Sequence, residues 1–455
     1  MRLGSLLGPD VKELILEDPS CLSAGLGELH AADVADLLEE LPREDGVRLA
    51  ERLQDAQLGS ILPYLSGGVV RQLVTRLAPK RIGVALDGLE HDDAARILTF
   101  LPEEKRVPVL QAMSAKGAAA AKNLLKFDPG TAGRLMTDKF VKLKPEWTVA
   151  ETLEHLKKID PEVATVADLY VVDASDRLVG VLSLRKLLPA PPQKKIFELM
   201  TAELIAVKPD TKQDEVARLV SKYGFNALPV VDDERHGLGI VTVDDVVDVL
   251  VARETEAALR MGGVEAGAEP WERGALDYFG TSIVKVVRSR IGWLLLLFVA
   301  ETMTGTVLRH FEGELAKVVA LSFFIPLIIG TGGNAGSQTV STIIRALALG
   351  QVRVKDALKV LIRETSAGFL LGILLCIVAG LRSLLWGTGP SLALVVGITI
   401  MAVCAWANIV GSMVPLMAQK LKIDPTVVSA PMITTVVDAT GLAIYLLVAK
   451  AVMKI

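Results

Sequence analysis

The sequence predicts a multidomain chain: an α-helical superhelical N-terminal domain, a tandem pair of α/β modules, a connecting helix, and a five-span α-helical membrane domain. Three observations predict it. Of the 455 residues 51% are hydrophobic, and the long apolar runs are gathered after Ile291, whereas the stretch before Arg290 is charged and punctuated like a soluble protein. Within that polar half, a pair of segments repeat each other. Ahead of the repeats, apolar residues recur at helical spacing with Leu-Pro stops. Boundaries are expected at 1–130 for the helical domain, 131–192 and 193–252 for the two modules, 253–282 for the connecting helix and 283–455 for the membrane domain.

In the N-terminal domain, "ELHAADVADLLEELPRED" aligns with "GLEHDDAARILTFLPEEK", Leu41-Pro42 matching Leu101-Pro102. Short amphipathic helices of this kind stack into a superhelix. The acids Glu39, Glu40, Asp92 and Asp93 read as a solvated face, with metal ligation the less favoured alternative. The opening "MRLGSLLGPDVKELILEDPS" lacks an apolar core of signal-peptide length, so the polar half is expected in the cytoplasm. A net charge of −4 does not point to nucleic acid, and the scattered Cys21, Cys376 and Cys404 suggest neither a disulfide framework nor a metal knuckle.

The two modules are the repeat. "LMTDKFVKLKPEWTVAETLEHL" from Leu135 recurs as "LMTAELIAVKPDTKQDEVARLV" from Leu199, and "VVDASDRLVGVLSLRKLL" from Val171 recurs as "VVDDERHGLGIVTVDDVV" from Val230. Each alternates short β-rich runs with amphipathic helices, so each is an α/β unit and the two are expected to pair. Their strand-helix pattern resembles tandem CBS domains. Such modules either sense a ligand, often an adenine nucleotide, or serve as a dimerisation scaffold, and both readings stay open.

Candidate spans fall at 286–308, 318–344, 362–385, 392–418 and 427–449, each long enough to cross a hydrocarbon core of about 30 Å. The loop between spans two and three carries Arg345, Arg353, Lys355, Lys359 and Arg363; that between spans four and five carries Lys420 and Lys422; that between three and four has only Arg382. Basic loops belong inside. The chain is therefore expected to be a multi-pass protein of the inner cell membrane with its N-terminus and paired modules cytoplasmic and its C-terminus outside.

Two membrane segments carry the chemistry. In "IPLIIGTGGNAGSQTVSTIIRALALG", Gly330, Gly332 and Gly333 precede Asn334, and Gly336, Ser337 and Gln338 follow. The glycines are read as interrupting the span and exposing backbone to a pathway, which is tolerated at membrane depth only inside protein or beside water. The alternative is small-residue helix packing. In "SAPMITTVVDATGLAIYLLVAK", Asp438 stands alone near the middle of a span, where a charge costs about 2.5–3.5 kcal/mol. Thr434 or Thr435 and Gly441 or Leu442 share its helical face. No Lys or Arg lies at comparable depth, and Glu301 in span one would repel it, so the economical partner is a diffusing cation. Oxygen ligands without His or Cys suit a hard ion such as Mg²⁺, though chemistry alone does not separate it from Mn²⁺ or Co²⁺. In a twofold homodimer two Asp438 carboxylates would meet one divalent charge.

The whole order, with "DPGTAGRLMT", "GTGGNAGSQ" and "VVDATGLAIYL", resembles the MgtE family of magnesium channels. The resemblance implies a homodimer with a shared pore, a selectivity site at Asp438, pore-lining Gly332, Gly333, Asn334, Gln338, Thr434, Thr435 and Gly441, and cytosolic Mg²⁺ sites that close the channel. Some members also bind ATP between the CBS modules. Asp214, Asp245, Asp248 and Glu256 fall on acids typical of the family's regulatory sites, whereas Gly224, Arg253 and Ala257 stand where some members have acids. Ala430 and Ser337 also depart from the family's usual residues. Asp245 and Asp248 share one face of the connecting helix, with Glu256 close to it. Their repulsion implies a splayed apo form that Mg²⁺ draws together. An enzyme is not expected: the five histidines form no His-Glu-x-x-His, and no glycine-rich loop ends in Lys-Ser or Lys-Thr. The competing reading is a CBS-regulated secondary transporter of Mg²⁺ or Co²⁺ coupled to Na⁺ or H⁺.

Overall fold

The computed structural model describes residues 26–159, 163–265 and 282–455. The chain divides into two compact units between Arg253 and Glu254, inside one helix.

Among the described residues the first unit has eight short α-helices ahead of the paired modules: α1 (Ala31–Glu40), α2 (Arg43–Arg52), α3 (Asp55–Ile61), α4 (Gly67–Arg76), α5 (Pro79–Asp87), α6 (His91–Thr99), α7 (Glu103–Ala112) and α8 (Ala115–Leu124). A proline sets the first break. Leu41 ends α1 in an extended conformation because Pro42 bars the helical region to the residue before it, and Pro42 then caps α2. The buried leucines at such breaks, Leu41, Leu53 and Leu77 among them, join one continuous core.

The paired modules follow. The first holds α9 (Ala132–Leu135), β1 (Phe140–Leu143), α10 (Val149–Leu156), β2 (Thr165–Val172), β3 (Leu178–Ser183) and α11 (Leu184–Leu187). The second holds α12 (Ile196–Leu199), α13 (Gln213–Tyr223), β4 (Ala227–Val231), β5 (Gly237–Thr242) and α14 (Val243–Met261). β1 runs parallel to β2 and β2 antiparallel to β3; β4 and β5 repeat the antiparallel pair, and a parallel bridge from Val207 to Val230 stands where β1 would be. The repeat extends to local detail. The register shifts at Val171/Val172 and again at Val230/Val231, and the turns that follow put Asp176 and Arg235 at positive φ. Tyr170, Val172, Ala227, Val231 and Ile240 form a shared core between the modules.

The second unit contains α15 (Ile283–His310), α16 (Glu312–Lys317), α17 (Ile325–Ala348), α18 (Ala357–Leu385), α19 (Pro390–Lys420) and α20 (Ala430–Met453). Among the described residues five stretches are long and apolar enough to cross a membrane, the second including the 3₁₀ turn Val319–Phe324. α19 is the most enclosed, and α17, α18 and α20 pack on it. α14 starts straight after β5 and ends at Met261, and the later part of the expected connecting stretch, 266–281, lies outside the described residues.

Candidate functional site

Contrary to expectation, "GTGGNAGSQ" does not interrupt its span. α17 is a continuous α-helix through it. Glycine's lost propensity, about 1 kcal/mol per residue, is outweighed by the close approach it permits. A Cβ on Gly332 would come within 2.7 Å of Val403 and 2.8 Å of Val437, and one on Gly336 within 2.9 Å of Ile433. These glycines are a packing stripe, and of the two readings of this motif packing describes them.

The same helix has a second face. Asn334 and Gln338, one turn apart, are exposed. Beside them on α20 lie Thr434 and Asp438, also one turn apart and half-buried. Gly333 joins the pairs: a Cβ there would lie 3.3 Å from Thr434 and 3.4 Å from the Asp438 carboxylate. Asn334 is the tenth residue of its 24-residue helix and Asp438 the ninth of its own 24, so this amide–hydroxyl–carboxylate strip sits near mid-helix. Thr434 Oγ1 donates to the Pro431 carbonyl at 2.8 Å, keeping its own acceptor lone pairs free. Among the described residues Asp438 has no ion-pair or hydrogen-bond partner, and the charged neighbour acting on it is Glu301 of α15.

The structure divides the expected pore residues. Asn334, Gln338, Thr434 and Asp438, with Gly333 behind them, come together on the open strip. Gly332, Thr435 and Gly441 do not: all three are buried, Gly332 and Gly441 against Val403. The three-and-four spacing rule could not say which side of Asp438's helix faced protein.

A second acidic site lies in the first unit. At the start of α6, Glu90, Asp92 and Asp93 face Asp244, Asp245 and Asp248 at the start of α14. Burial, above all, pushes the Asp245 carboxyl up to about 7; Asp244, Asp93 and Glu90 add to the shift, and the Thr242 hydroxyl, 2.7 Å away, opposes it. Burial also raises Asp248, partly countered by Arg96, and raises Asp92 well above the usual carboxylate range with Asp245 pushing the same way. Asp92 is 8% exposed, and its Oδ1 has no hydrogen-bond partner. The expected solvated face is therefore wrong for Asp92. In the aligned repeat its counterpart is Ala32, so an acid where the sister helix carries a small apolar residue was the available signal. His91 Nδ1 meets Asp138 Oδ1 at 2.5 Å nearby. No three of these acids converge closely enough to hold a bare ion among the described residues.

The other expected regulatory residues are placed differently. Asp214 is exposed in the first turn of α13. Gly224 caps that helix at φ 66°, a conformation that favours glycine over the acid expected in relatives. Glu256 is engaged by Arg260, whose other nitrogen bonds Asp424 at 2.6 Å in the loop before α20, so it is not a free member of an acidic face. Arg253 is exposed, with no ion pair among the described residues.

Comparison with known proteins agrees with this architecture. Residues 325–448 match the MgtE family model, described as a divalent cation transporter; 29–130 match the MgtE intracellular N domain; and 132–192 and 196–252 match CBS domains. The chain is 35% identical over 454 residues to the magnesium transporter MgtE of Thermus thermophilus, covering 98% of this chain and 99% of that protein. It is 30% identical over 430 residues to the magnesium transporter MgtE of Bacillus subtilis, covering 94% and 92%. A crystal structure of the cytosolic domain of the Mg²⁺ channel MgtE in complex with ATP is 35% identical, covers 54% of this chain and 100% of that one, and superposes with a TM-score of 0.51. The chain belongs to the MgtE family of divalent cation transporters.

Proposed function

We propose that this protein is an Mg²⁺-selective channel for Mg²⁺ influx, formed by a homodimer whose twofold axis runs along the strip of Asn334, Gln338, Thr434 and Asp438. The observation that carries this is Asp438: a carboxylate near mid-span, on an open polar face, without a protein cation. Two copies would balance one divalent ion, and amide and hydroxyl oxygens suit an ion that keeps several of its waters. Asp438→Ala tests it. Mg²⁺ uptake into proteoliposomes should vanish while the protein still purifies as a dimer; undiminished uptake would remove Asp438 from selectivity. Unitary current in a bilayer separates a channel from a carrier coupled to Na⁺ or H⁺.

The membrane orientation supported by the basic loops has the N-terminus and CBS pair in the cytoplasm and the C-terminus outside. Cytosolic Mg²⁺ would then act at the cluster of Asp92, Asp245 and Asp248, with Asp214 a further candidate outside it. Hydrated Mg²⁺ needs only one or two direct carboxylates, so it fits acids too far apart to hold a bare ion. It would relieve their repulsion and favour the docked, closed form to the extent that it binds that form better. ATP is a candidate ligand of the CBS pair, on the strength of the similar cytosolic domain's complex. Exposed Arg185 and Lys186 after β3 supply cations that a triphosphate requires. Protection of the CBS pair from protease by ATP tests that reading.

A further inference from the structure

Between Glu364 and Lys420 the chain carries a single charged residue, Arg382. It sits in the last turn of α18, at the end of a membrane span, where no basic cluster accounts for it. Among the described residues its side chain has neither an ion pair nor a hydrogen bond, and the guanidinium lies 4.7 Å from the ring centre of Trp386. That stacking holds the planar fork in place without using its donors. Trp386 in turn packs on Phe324, 5.6 Å between ring centres.

Directly beneath this pair is a cavity of about 470 Å³. α17 and α18 each pack on α19 but leave a groove between the start of the one and the end of the other. Leu327 and Thr331 form one wall, Leu375 and Val378 the other, and Phe324 and Ile400 are buried against it. An apolar groove that opens sideways on a membrane helix bundle is filled by hydrocarbon, since water finds too few partners there. An aromatic and an unpaired arginine at its mouth lie at headgroup level, where a phosphate is the available anion.

We propose that this groove binds an anionic glycerophospholipid: one acyl chain lies between α17 and α18, and the phosphate is held by Arg382 beside Trp386. Its wall includes Thr331, the residue before Gly332 and Gly333, so the lipid braces the back of the helix whose other faces pack on α20 and carry Asn334. The binding claim does not depend on the pore assignment, because it is read from bound lipid rather than from flux.

The full chain, purified in mild detergent, is incubated with equal amounts of phosphatidylglycerol and phosphatidylcholine, and retained lipid is counted by native mass spectrometry. Phosphatidylglycerol should be retained preferentially, about fivefold for one basic side chain at an anionic headgroup. Arg382→Gln should abolish the preference and Arg382→Lys keep some of it. Val378→Trp, which fills the groove from an exposed position, should lower retention of both lipids. Millimolar inorganic phosphate should not displace the lipid. An unchanged preference in Arg382→Gln overturns the proposal, as does displacement by free phosphate. Loss of the dimer in Val378→Trp with lipid retention unchanged also overturns it, because a second copy would then fill the groove. If Arg382→Gln does not fold, Trp386→Leu replaces it, with the same loss of preference expected.

Discussion

Acidic residues in this chain meet two opposite environments. Asp438 is alone, half-buried on an open polar strip, with Glu301 the like charge acting on it. Glu90, Asp92, Asp93, Asp244, Asp245 and Asp248 crowd together, and burial with the neighbouring acids holds the carboxyl groups of Glu90, Asp92, Asp245 and Asp248 toward the protonated form. A lone acid without a protein cation suits transient contact with a passing ion. A crowd stores repulsion that a bound ion releases, which suits a switch.

The sharpest way to break the comparison is within α17, where one face packs and another carries the proposed pathway residues Asn334 and Gln338. Gly332→Val pushes a side chain into Val403 and Val437, so we expect destabilisation by about 1–3 kcal/mol and loss of folded dimer on size exclusion. Asn334→Leu, two residues on, is exposed and should leave thermal stability unchanged while lowering Mg²⁺ flux. A stable, conducting Gly332→Val would return the motif to the pathway.

The next effect is at the crowd. Asp92→Asn removes a buried ionisable group without changing shape. The cytosolic region should resist protease even without Mg²⁺, and the Mg²⁺ response should flatten by a coupling factor within about 5–150-fold. A response that keeps its full amplitude would exclude Asp92 from the switch.

Much of this was legible in the sequence. The five spans, the paired modules and the lone Asp438 follow from apolar runs, repeats and a missing cation, all local signals. The rest depended on long-range contacts. Asp92 is buried with Asp245 of α14, a distant segment of the chain, acting on it, and Glu256 is engaged by Arg260, which also bonds Asp424, 164 residues beyond that arginine. Helical periodicity placed Thr434, Thr435 and Gly441 around Asp438 but could not tell that α19 covers Gly441. The glycine-rich motif misleads because glycine disfavours a helix in isolation, while here close packing against α20 compensates.

Smaller effects sharpen the picture. Arg253, further along the acidic helix, adds positive charge there, so closure should need more Mg²⁺ than with an acid in its place. Arg253→Glu should move the midpoints of protease protection and open probability to lower Mg²⁺ by about two- to fivefold, the scale of one exposed charge pair. Unmoved midpoints would make Arg253 an ordinary surface residue.

The smallest effect is on pH. In the folded protein Asp245 keeps its proton up to about pH 7, whereas an unfolded Asp releases it near ~3.9. Between those values the folded form binds more protons, so stability without Mg²⁺ falls as pH rises and levels off above about 7. Mg²⁺ takes the ionised carboxylate, so its binding strengthens over the same window. The cytosolic melting midpoint of the full chain, followed from pH 5 to 8, should fall without Mg²⁺ and fall less with it.

The most direct test measures flux and protease protection side by side, against Mg²⁺ concentration, in Asp438→Asn and in the Asp92→Asn, Asp245→Asn pair. Asp438→Asn should lose Mg²⁺ flux and keep the wild-type protection midpoint. The paired variant should be protected and conduct poorly even at low Mg²⁺, with little further response as Mg²⁺ rises. A shifted protection midpoint in Asp438→Asn, or a paired variant that keeps the full Mg²⁺ response, would contradict the division between an acid that passes the ion and acids that sense it.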